Sequence, residues 1–236
     1  MLGRKIKKLK NWLQNRHNLQ LFRLRLAEDR QKTALYRAVL ISHELSATGA
    51  PLMLLAAAEA ILADGGSVRV LAYMDGPLRE KFEKLGISVF YHPGFRDNAR
   101  LLNEFGGDCA YAVANTAVAY PAVSLLKGPR VLWWIHEAQV IEKDYIARFR
   151  QKKFRPDLEQ TLRQAGKLAV VSDYAREIAA KYNPRVEVIH PAVADVAKEQ
   201  GLQPKQPAEK IRFAMLGAVC EIKGQDVLLK AVRLLP

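Results

Sequence analysis

The sequence predicts an α/β protein built on a doubly wound parallel sheet, preceded by a basic amphipathic helix. From residue 38 onward, short runs of Val, Ile, Leu and Ala alternate with segments of helical periodicity. Continuous apolar runs are typical of strands buried on both faces, and helices between such strands form the crossovers of a parallel sheet. The length of 236 residues allows one or two domains. The predicted architecture is therefore Rossmann-like.

Composition divides the chain into four segments. Residues 1–37 form a basic amphipathic leader helix, and residues 38–194 form the Rossmann-like domain. Residues 195–210 lack apolar periodicity and contain Pro and Gly, which indicates a linker. Residues 211–236 begin a second domain, which we expect to be truncated because one strand and one helix cannot bury a core of their own.

The elements of both domains follow from these patterns. The predicted strands are short apolar runs at 38–42, 67–72, 87–91, 109–114, 130–135, 167–171 and 186–189. The predicted helices have helical periodicity and cover residues 50–63, 78–85, 96–105, 118–126, 141–165 and 174–181. In the second domain, we expect a strand at 211–217 and a helix at 224–235.

The leader combines positive charge with an apolar helix face. Residues 1–37 contain 11 Lys or Arg and two acidic residues, so most of the formal net charge of +13 lies there. Its first half has four apolar residues at the spacing of one helix face, Leu2, Ile6, Leu9 and Leu13. Residues 1–32 are therefore suited to an anionic membrane surface. A solvated basic tail and a helix packed on the sheet domain are the alternatives, and no motif favours a nucleic-acid partner.

Several classes of protein are excluded by the sequence. No segment has the roughly 18 consecutive apolar residues of a membrane span, and the leader is too charged for a signal peptide. The two cysteines are far apart, which indicates reduced thiols, and Cys109 lies in an apolar run that we expect to be buried. We therefore expect a cytoplasmic protein that can lie on the inner face of the plasma membrane. Neither G-x-G-x-x-G nor G-x-x-x-x-G-K-[ST] follows the first strand, which argues against a dehydrogenase or NTPase.

Candidate site residues lie directly after the strands, because ligands of open α/β sheets bind beyond the carboxyl ends of the strands. After the first strand, Gly49 and Ala50 precede Pro51 at a helix start. Free backbone N–H groups there are suited to a phosphate, and simple turn geometry is the alternative. After the fourth strand, Asn115 and Thr116 start another helix, where they either contact substrate or cap the helix.

Three further strand ends supply candidates. His136 and Glu137 follow the fifth strand, where a His and an acid can bind a sugar hydroxyl or a developing charge; a structural role is the alternative for His136. Ser172 follows the sixth strand and either caps the next helix or contacts substrate. In the second domain, Gly217 opens a turn that contains Lys223, which either meets a diphosphate or is solvated.

Together these segments resemble the retaining glycosyltransferase family 4, which has the GT-B fold of two Rossmann-like domains. The matching segments occur in the family's order: ISHE at 41–44 with GAP at 49–51, DGPL at 75–78, ANT at 114–116, WIHE at 134–137, VSDYA at 171–175, VIHPAV at 188–193 and the second-domain segment 216–228. The resemblance covers residues 38–236. It identifies the sheet domain as the acceptor-side, N-terminal half of a GT-B fold.

The resemblance implies transfer of a hexose from a nucleotide diphosphate sugar to a glycan or glycolipid acceptor, without a metal ion or other cofactor, in a cleft between two domains. By the match, Gly49 and Ala50 would lie near the donor phosphates, and His136 would contact the transferred sugar. Lys223 would counter the charge that grows on the leaving diphosphate. Polysaccharide biosynthesis is the expected setting.

Two departures and two alternatives accompany this interpretation. Ala218 stands where many family members have Arg, and the family's later segment with two donor-binding glutamates is missing from these residues. We therefore expect a fragment that is inactive alone. The alternatives are a non-catalytic module that docks on a membrane or a partner, and another GT-B-like enzyme such as a sugar epimerase.

Overall fold

The chain forms two compact units, Met1–Ala192 and Val193–Pro236. The structure is a computed structural model that describes residues 2–142, 155–191, 200–201, 213–217, 219 and 223–234, without the side chains of residues 2–13, 139 and 155–157. The first unit contains both the predicted leader and the predicted sheet domain. Most of the predicted linker at 195–210 lies outside the described residues.

Seven strands of the described residues form one sheet, in which every neighbouring pair is parallel. The strands are β1 (Arg37–Ser42), β2 (Ser67–Ala72), β3 (Ser88–Tyr91), β4 (Tyr111–Asn115), β5 (Arg130–Ile135), β6 (Lys167–Val170) and β7 (Val186–Val188). Their order is β3-β2-β1-β4-β5-β6-β7. The direction of winding reverses between β1 and β4, which is the arrangement of a doubly wound fold. The predicted fold class is confirmed.

Helix α1 (Leu2–Asp29) precedes β1, and the helices that follow lie between consecutive strands of the sheet. They are α2 (Gly49–Ala63), α3 (Arg79–Lys84), α4 (Ala99–Gly106), α5 (Tyr120–Leu125), α6 (Ala138–Ile141), α7 (Arg155–Gln164) and α8 (Asp173–Ala179). Short 3-10 turns at Pro93–Phe95 and Ala117–Ala119 precede α4 and α5. Of the helix predicted at 141–165, the structure describes its two ends, and residues 143–154 lie outside the described part.

The core lies on both faces of the sheet, because neighbouring residues of a strand point to opposite faces. Val39 and Ile41 of β1 pack in a hydrophobic cluster that includes residues of α1 and α4. Leu40, between them, packs in a second cluster with residues of α2 and α3. A third cluster packs β5, β6 and β7 against α7 and α8. Cys109 is buried in the first cluster, as predicted.

Helix α1 is continuous, and the second half of the helix packs on the sheet. Phe22 and Leu26 are buried, and the ring of Phe22 makes an edge-to-face contact with Phe90 of β3. Arg23 forms an ion pair with Glu104 of α4. The second half of the leader is therefore a helix packed on the sheet domain, which is one of the alternatives given above. No helix within the described ranges is long and apolar enough to cross a bilayer.

The second unit contains helix α9 (Gln225–Val232), which begins after Gly224. The strand predicted at 211–217 is wrong for its described part, since residues 213–217 have no strand conformation. A strand requires hydrogen bonds to a neighbouring strand, and the described residues of this unit provide none. Phe213, Leu216 and Val227 are exposed.

Candidate functional site

The candidate site lies at the carboxyl edge of three adjacent strands. In the sheet order, β1 is the neighbour of β4, and β4 is the neighbour of β5. Because the strands are parallel, the residues that follow them meet at one edge of the sheet. This topology brings the segments after residues 42, 115 and 135 together, although about 90 residues separate the first from the last.

The start of helix α2 is open at this edge. Thr48 precedes the helix in an extended conformation and makes no side-chain capping hydrogen bond. Nothing lies within 4 Å of the position that a Cβ would take at Gly49. The first N–H groups of a helix have no partner within the helix, so those of Gly49 and Ala50 are available to an anion. Pro51 stands in the first turn, as predicted.

The loop before α2 is held in place by hydrogen bonds. Ser42 Oγ donates to the Glu44 carbonyl over 2.6 Å, and Ser46 Oγ donates to Glu44 Oε1 over 2.7 Å. The backbone N–H of Leu78, which follows β2, donates to the Leu45 carbonyl over 2.9 Å. A neighbouring loop thereby supports the segment that leads into the open helix start.

Asn115 links the end of β4 to the start of α2. Its side chain is fully buried, and Nδ2 donates to the Ala50 carbonyl over 3.0 Å. Its Oδ1 is also buried and has no hydrogen-bond partner within the described structure. Asn115 therefore fixes the backbone of a predicted phosphate-binding residue.

Thr116 has a backbone conformation that is rare for a β-branched residue. Its φ is 75°, and the side chain makes no capping hydrogen bond, so the capping interpretation of Thr116 is wrong. The Thr116 N–H donates to the Trp134 carbonyl, and Nε1 of the buried Trp133 donates to the Thr116 carbonyl, both over 2.8 Å. These bonds hold Thr116 Oγ1 at 3.3 Å from Nδ1 of His43.

Glu137 approaches the same segment from β5. Its Oε2 accepts a hydrogen bond of 3.2 Å from the backbone N–H of Ala117. Burial raises the pKa of the Glu137 carboxyl, although the Ala117 hydrogen bond and the charge of His43 act in the opposite direction. A carboxyl group with a raised pKa exchanges its proton at a pH closer to neutral than an exposed carboxyl group does.

His136 lies against an aromatic side chain. Its ring centroid is 4.7 Å from that of Trp134, with an interplanar angle of 46°. Its Nε2 is buried and has no hydrogen-bond partner in the part of the chain that the structure describes. Burial lowers the pKa of His136 to about 4, so the imidazole is neutral at pH 7. A neutral imidazole is suited to a hydrogen bond with a sugar hydroxyl.

Three predicted residues remain, of which Ser172 belongs to the first unit. It follows β6, and its Oγ accepts a hydrogen bond of 3.2 Å from the Ala175 N–H, so its capping role is confirmed. Gly217 and Lys223 lie in the second unit. A Cβ at Gly217 would contact the Lys223 side chain at 3.8 Å, so these two residues are neighbours.

One residue of the cluster, His43, is not among the predicted site residues. It lies in the ISHE segment, directly after a buried strand, and this position singles it out as it does His136. Thr116 is a predicted candidate, but its contact partner cannot be predicted from local sequence. Its contact with His43 spans 73 residues and depends on the pairing of β1 with β4.

The fold defines the class of protein: a Rossmann-type α/β domain, with the candidate site at the carboxyl edge of its parallel sheet. The sequence profile of Glycosyl-transferase family 4 matches residues 36–194, which is more than half of the chain. The chain belongs to this family. A search among curated proteins gave no match.

Solved structures with the same fold include HepE from Anabaena. Its complex with UDP and glucose has a TM-score of 0.56 at 14% sequence identity, covering 85% of this chain and 58% of HepE. Its complex with UDP-glucose has a TM-score of 0.54 at 15% identity, with the same coverage. At these identities the likeness shows the fold alone. The chain thus spans less than two thirds of the length of HepE.

Proposed function

We propose that the chain contributes the acceptor-side domain of a glycosyltransferase that uses a nucleotide diphosphate sugar. The observation that carries this proposal is the shared edge of β1, β4 and β5. There the open start of α2 is joined, through Asn115, to the segment that His43 and Glu137 also contact. An anion-binding helix start beside groups that can bind hydroxyls fits a substrate with phosphates and a sugar.

The proposed donor is supported by family membership and by the HepE complexes, which contain UDP, glucose and UDP-glucose. In this proposal, the N–H groups of Gly49 and Ala50 bind donor phosphates, and His136 contacts the transferred sugar. Lys223, with Gly217 beside it, counters the negative charge on the leaving diphosphate. Asn115 and Glu137 position these groups, and Ser172 lies at the next strand end.

The proposed reaction moves a hexosyl group to a hydroxyl of a glycan or glycolipid. The bond between sugar C1 and the phosphate oxygen breaks, and its electron pair leaves with the nucleoside diphosphate. A new C1–O bond forms to the acceptor, and the proton of the acceptor hydroxyl passes to the leaving diphosphate. We further propose that the anomeric configuration is retained and that no metal ion takes part, as the family resemblance implies.

A transfer assay tests this proposal with the native polypeptide, by which we mean the full-length product of the gene that encodes this chain. Radiolabelled UDP-, GDP- and ADP-hexoses are offered with lipid and glycan extracts, with and without EDTA, and the products are separated and their anomeric configuration determined by NMR. The proposal expects label in a glycan or glycolipid, retained configuration and no effect of EDTA. Absence of transfer with every donor, together with absence of nucleotide binding, would favour a non-catalytic docking module instead.

The basic leader is the second part of the proposal. We propose that residues 1–32 place the enzyme on an anionic membrane surface, where a glycolipid acceptor would be found. The first 13 residues carry four lysines and one arginine. In the described second half of α1, Leu21 and Leu24 are exposed, whereas Phe22 and Leu26 are buried on the sheet. The helix therefore keeps an apolar face that the sheet does not cover.

A further inference from the structure

His43 lies between a buried residue and the surface of the site. Its side chain is 23% exposed, and its Nδ1 is 3.3 Å from Oγ1 of the fully buried Thr116. Its other ring nitrogen, Nε2, is 3.5 Å from Glu44 Oε1, which is longer than an ordinary hydrogen bond. One nitrogen is thus held by the protein, while the other is available to a ligand.

Thr116 is well placed to hold the His43 ring in one orientation. Its hydroxyl can donate to Nδ1 or accept from it, so the contact fixes the direction of the ring whichever nitrogen carries the proton. The rare φ of 75° at Thr116 is held by hydrogen bonds from Trp133 and to Trp134. A backbone conformation held in this way at a ligand-binding edge is a common feature of functional sites.

Glu137 lies on the other side of the same short segment. It binds the backbone N–H of Ala117, the residue after Thr116, and its carboxyl group interacts electrostatically with His43. The residues after β1, β4 and β5 therefore form one connected polar network. A network of this kind orients its members more firmly than separate pairs do.

We propose that His43 is a sugar-hydroxyl-binding residue: Nδ1 hydrogen-bonds with Thr116 Oγ1, and Nε2 hydrogen-bonds with a hydroxyl of the bound sugar substrate. Thr116 is the positioning residue that holds the His43 ring in this orientation. The ligand class follows from the chemistry, because a ring nitrogen near the start of α2, whose N–H groups suit an anion, matches a hydroxyl next to a phosphate. This inference rests on the proposed glycosyl transfer.

Substitutions at His43 test the contact with substrate. His43→Phe removes both nitrogens, whereas His43→Gln keeps a hydrogen-bonding group near the position of Nε2. Transfer by the native polypeptide should fall about tenfold in kcat/KM for His43→Phe, the equivalent of one neutral hydrogen bond. His43→Gln should recover part of that loss, and the melting temperatures should stay alike. Unchanged kcat/KM in His43→Phe would overturn the inference.

Substitutions at Thr116 test the positioning role. Thr116→Val, which has the same shape without the hydroxyl, should raise KM and change the ¹⁵N NMR signals of the His43 ring, which are assigned by their loss in His43→Phe. Thr116→Ser should restore both. An unchanged KM together with unchanged His43 signals in Thr116→Val would overturn the positioning role of Thr116.

The two tests separate this inference from the proposed function. If the native polypeptide transfers no sugar with any donor, the proposed function fails and the inference fails with it. If transfer occurs but is insensitive to His43→Phe, the proposed function stands and the inference alone fails.

Discussion

Arg69 Nε lies 2.8 Å from Asp29 Oδ2, and this ion pair joins β2 to the last residue of α1 with both side chains buried. Arg69 Nη1 also donates to Asp108 Oδ1 over 2.7 Å and to the Phe105 carbonyl. Since a buried guanidinium is stable only when its donors are paired, the end of α1 is part of the sheet domain.

Asp29→Ala should therefore destabilise the first unit. Without Asp29, Arg69 keeps its hydrogen bonds to Asp108 and to the Phe105 carbonyl. We therefore expect a loss of about 3 kcal/mol in the free energy of unfolding, which is the lower end of the range for breaking a buried ion pair. Urea unfolding followed by circular dichroism measures it. Glu187→Ala is the control, because its ion pair with Lys167 is exposed and should contribute less than about 1 kcal/mol. Equal effects of the two substitutions would contradict the structural role of Asp29.

Gly76→Ala should disturb the loop that leads into α2. A Cβ at Gly76 would lie 2.4 Å from the Leu45 carbonyl oxygen, so the backbone must move. We expect a loss of about 1–3 kcal/mol in stability, together with weaker donor binding measured by calorimetry. Gly166→Ala is the matched control, since nothing lies within 4 Å of its Cβ position. Donor affinity at the wild-type level in Gly76→Ala would show that this loop does not shape the site.

The burial of His136 makes stability depend on pH. The pKa of His136 is about 4 in the folded protein and about 6.5 in an unfolded chain, so the unfolded state binds the proton first. The free energy of unfolding should therefore rise as pH increases from about 4 to 6.5. His136→Gln should flatten this rise, whereas His17→Gln, on the exposed side of α1, should leave it unchanged. A slope unaltered by His136→Gln would contradict the buried, neutral imidazole.

The leader should bind anionic membranes through its first 13 residues. Replacing Lys5, Lys7, Lys8 and Lys10 by Glu should weaken binding to liposomes that contain phosphatidylserine, because each lysine near such a surface contributes about 1 kcal/mol. Co-sedimentation at low and high salt measures this, with neutral phosphatidylcholine liposomes as the control. Substitution is preferable to deletion of residues 1–32, which would also remove the buried Phe22 and Asp29. Equal sedimentation of both proteins would reject the membrane role.

The fold could be predicted from the sequence because strands that are buried on both faces have a characteristic local composition. A strand such as β1, buried on both faces, needs a continuous apolar run, and that run predicts both the strand and the parallel sheet. The capping role of Ser172 was predictable for a similar reason, since a capping side chain bonds to a residue three positions away.

The connections within the site could not be predicted in this way. The contact of His43 with Thr116 and the contact of Asp29 with Arg69 join residues far apart in sequence, and each depends on how elements pack. The positive φ of Thr116 contradicts the local preference of a β-branched residue. Such conflicts between local preference and tertiary structure are expected at functional sites.

Glycosyl transfer at the carboxyl edge of β1, β4 and β5, as we propose, is tested most directly by the turnover of His136→Ala in the native polypeptide. His17→Ala is the control, and melting temperatures are recorded for both. We expect a fall in kcat of about 100-fold for His136→Ala with the fold intact, and no change for His17→Ala. Equal turnover in wild type and His136→Ala would contradict the proposed site.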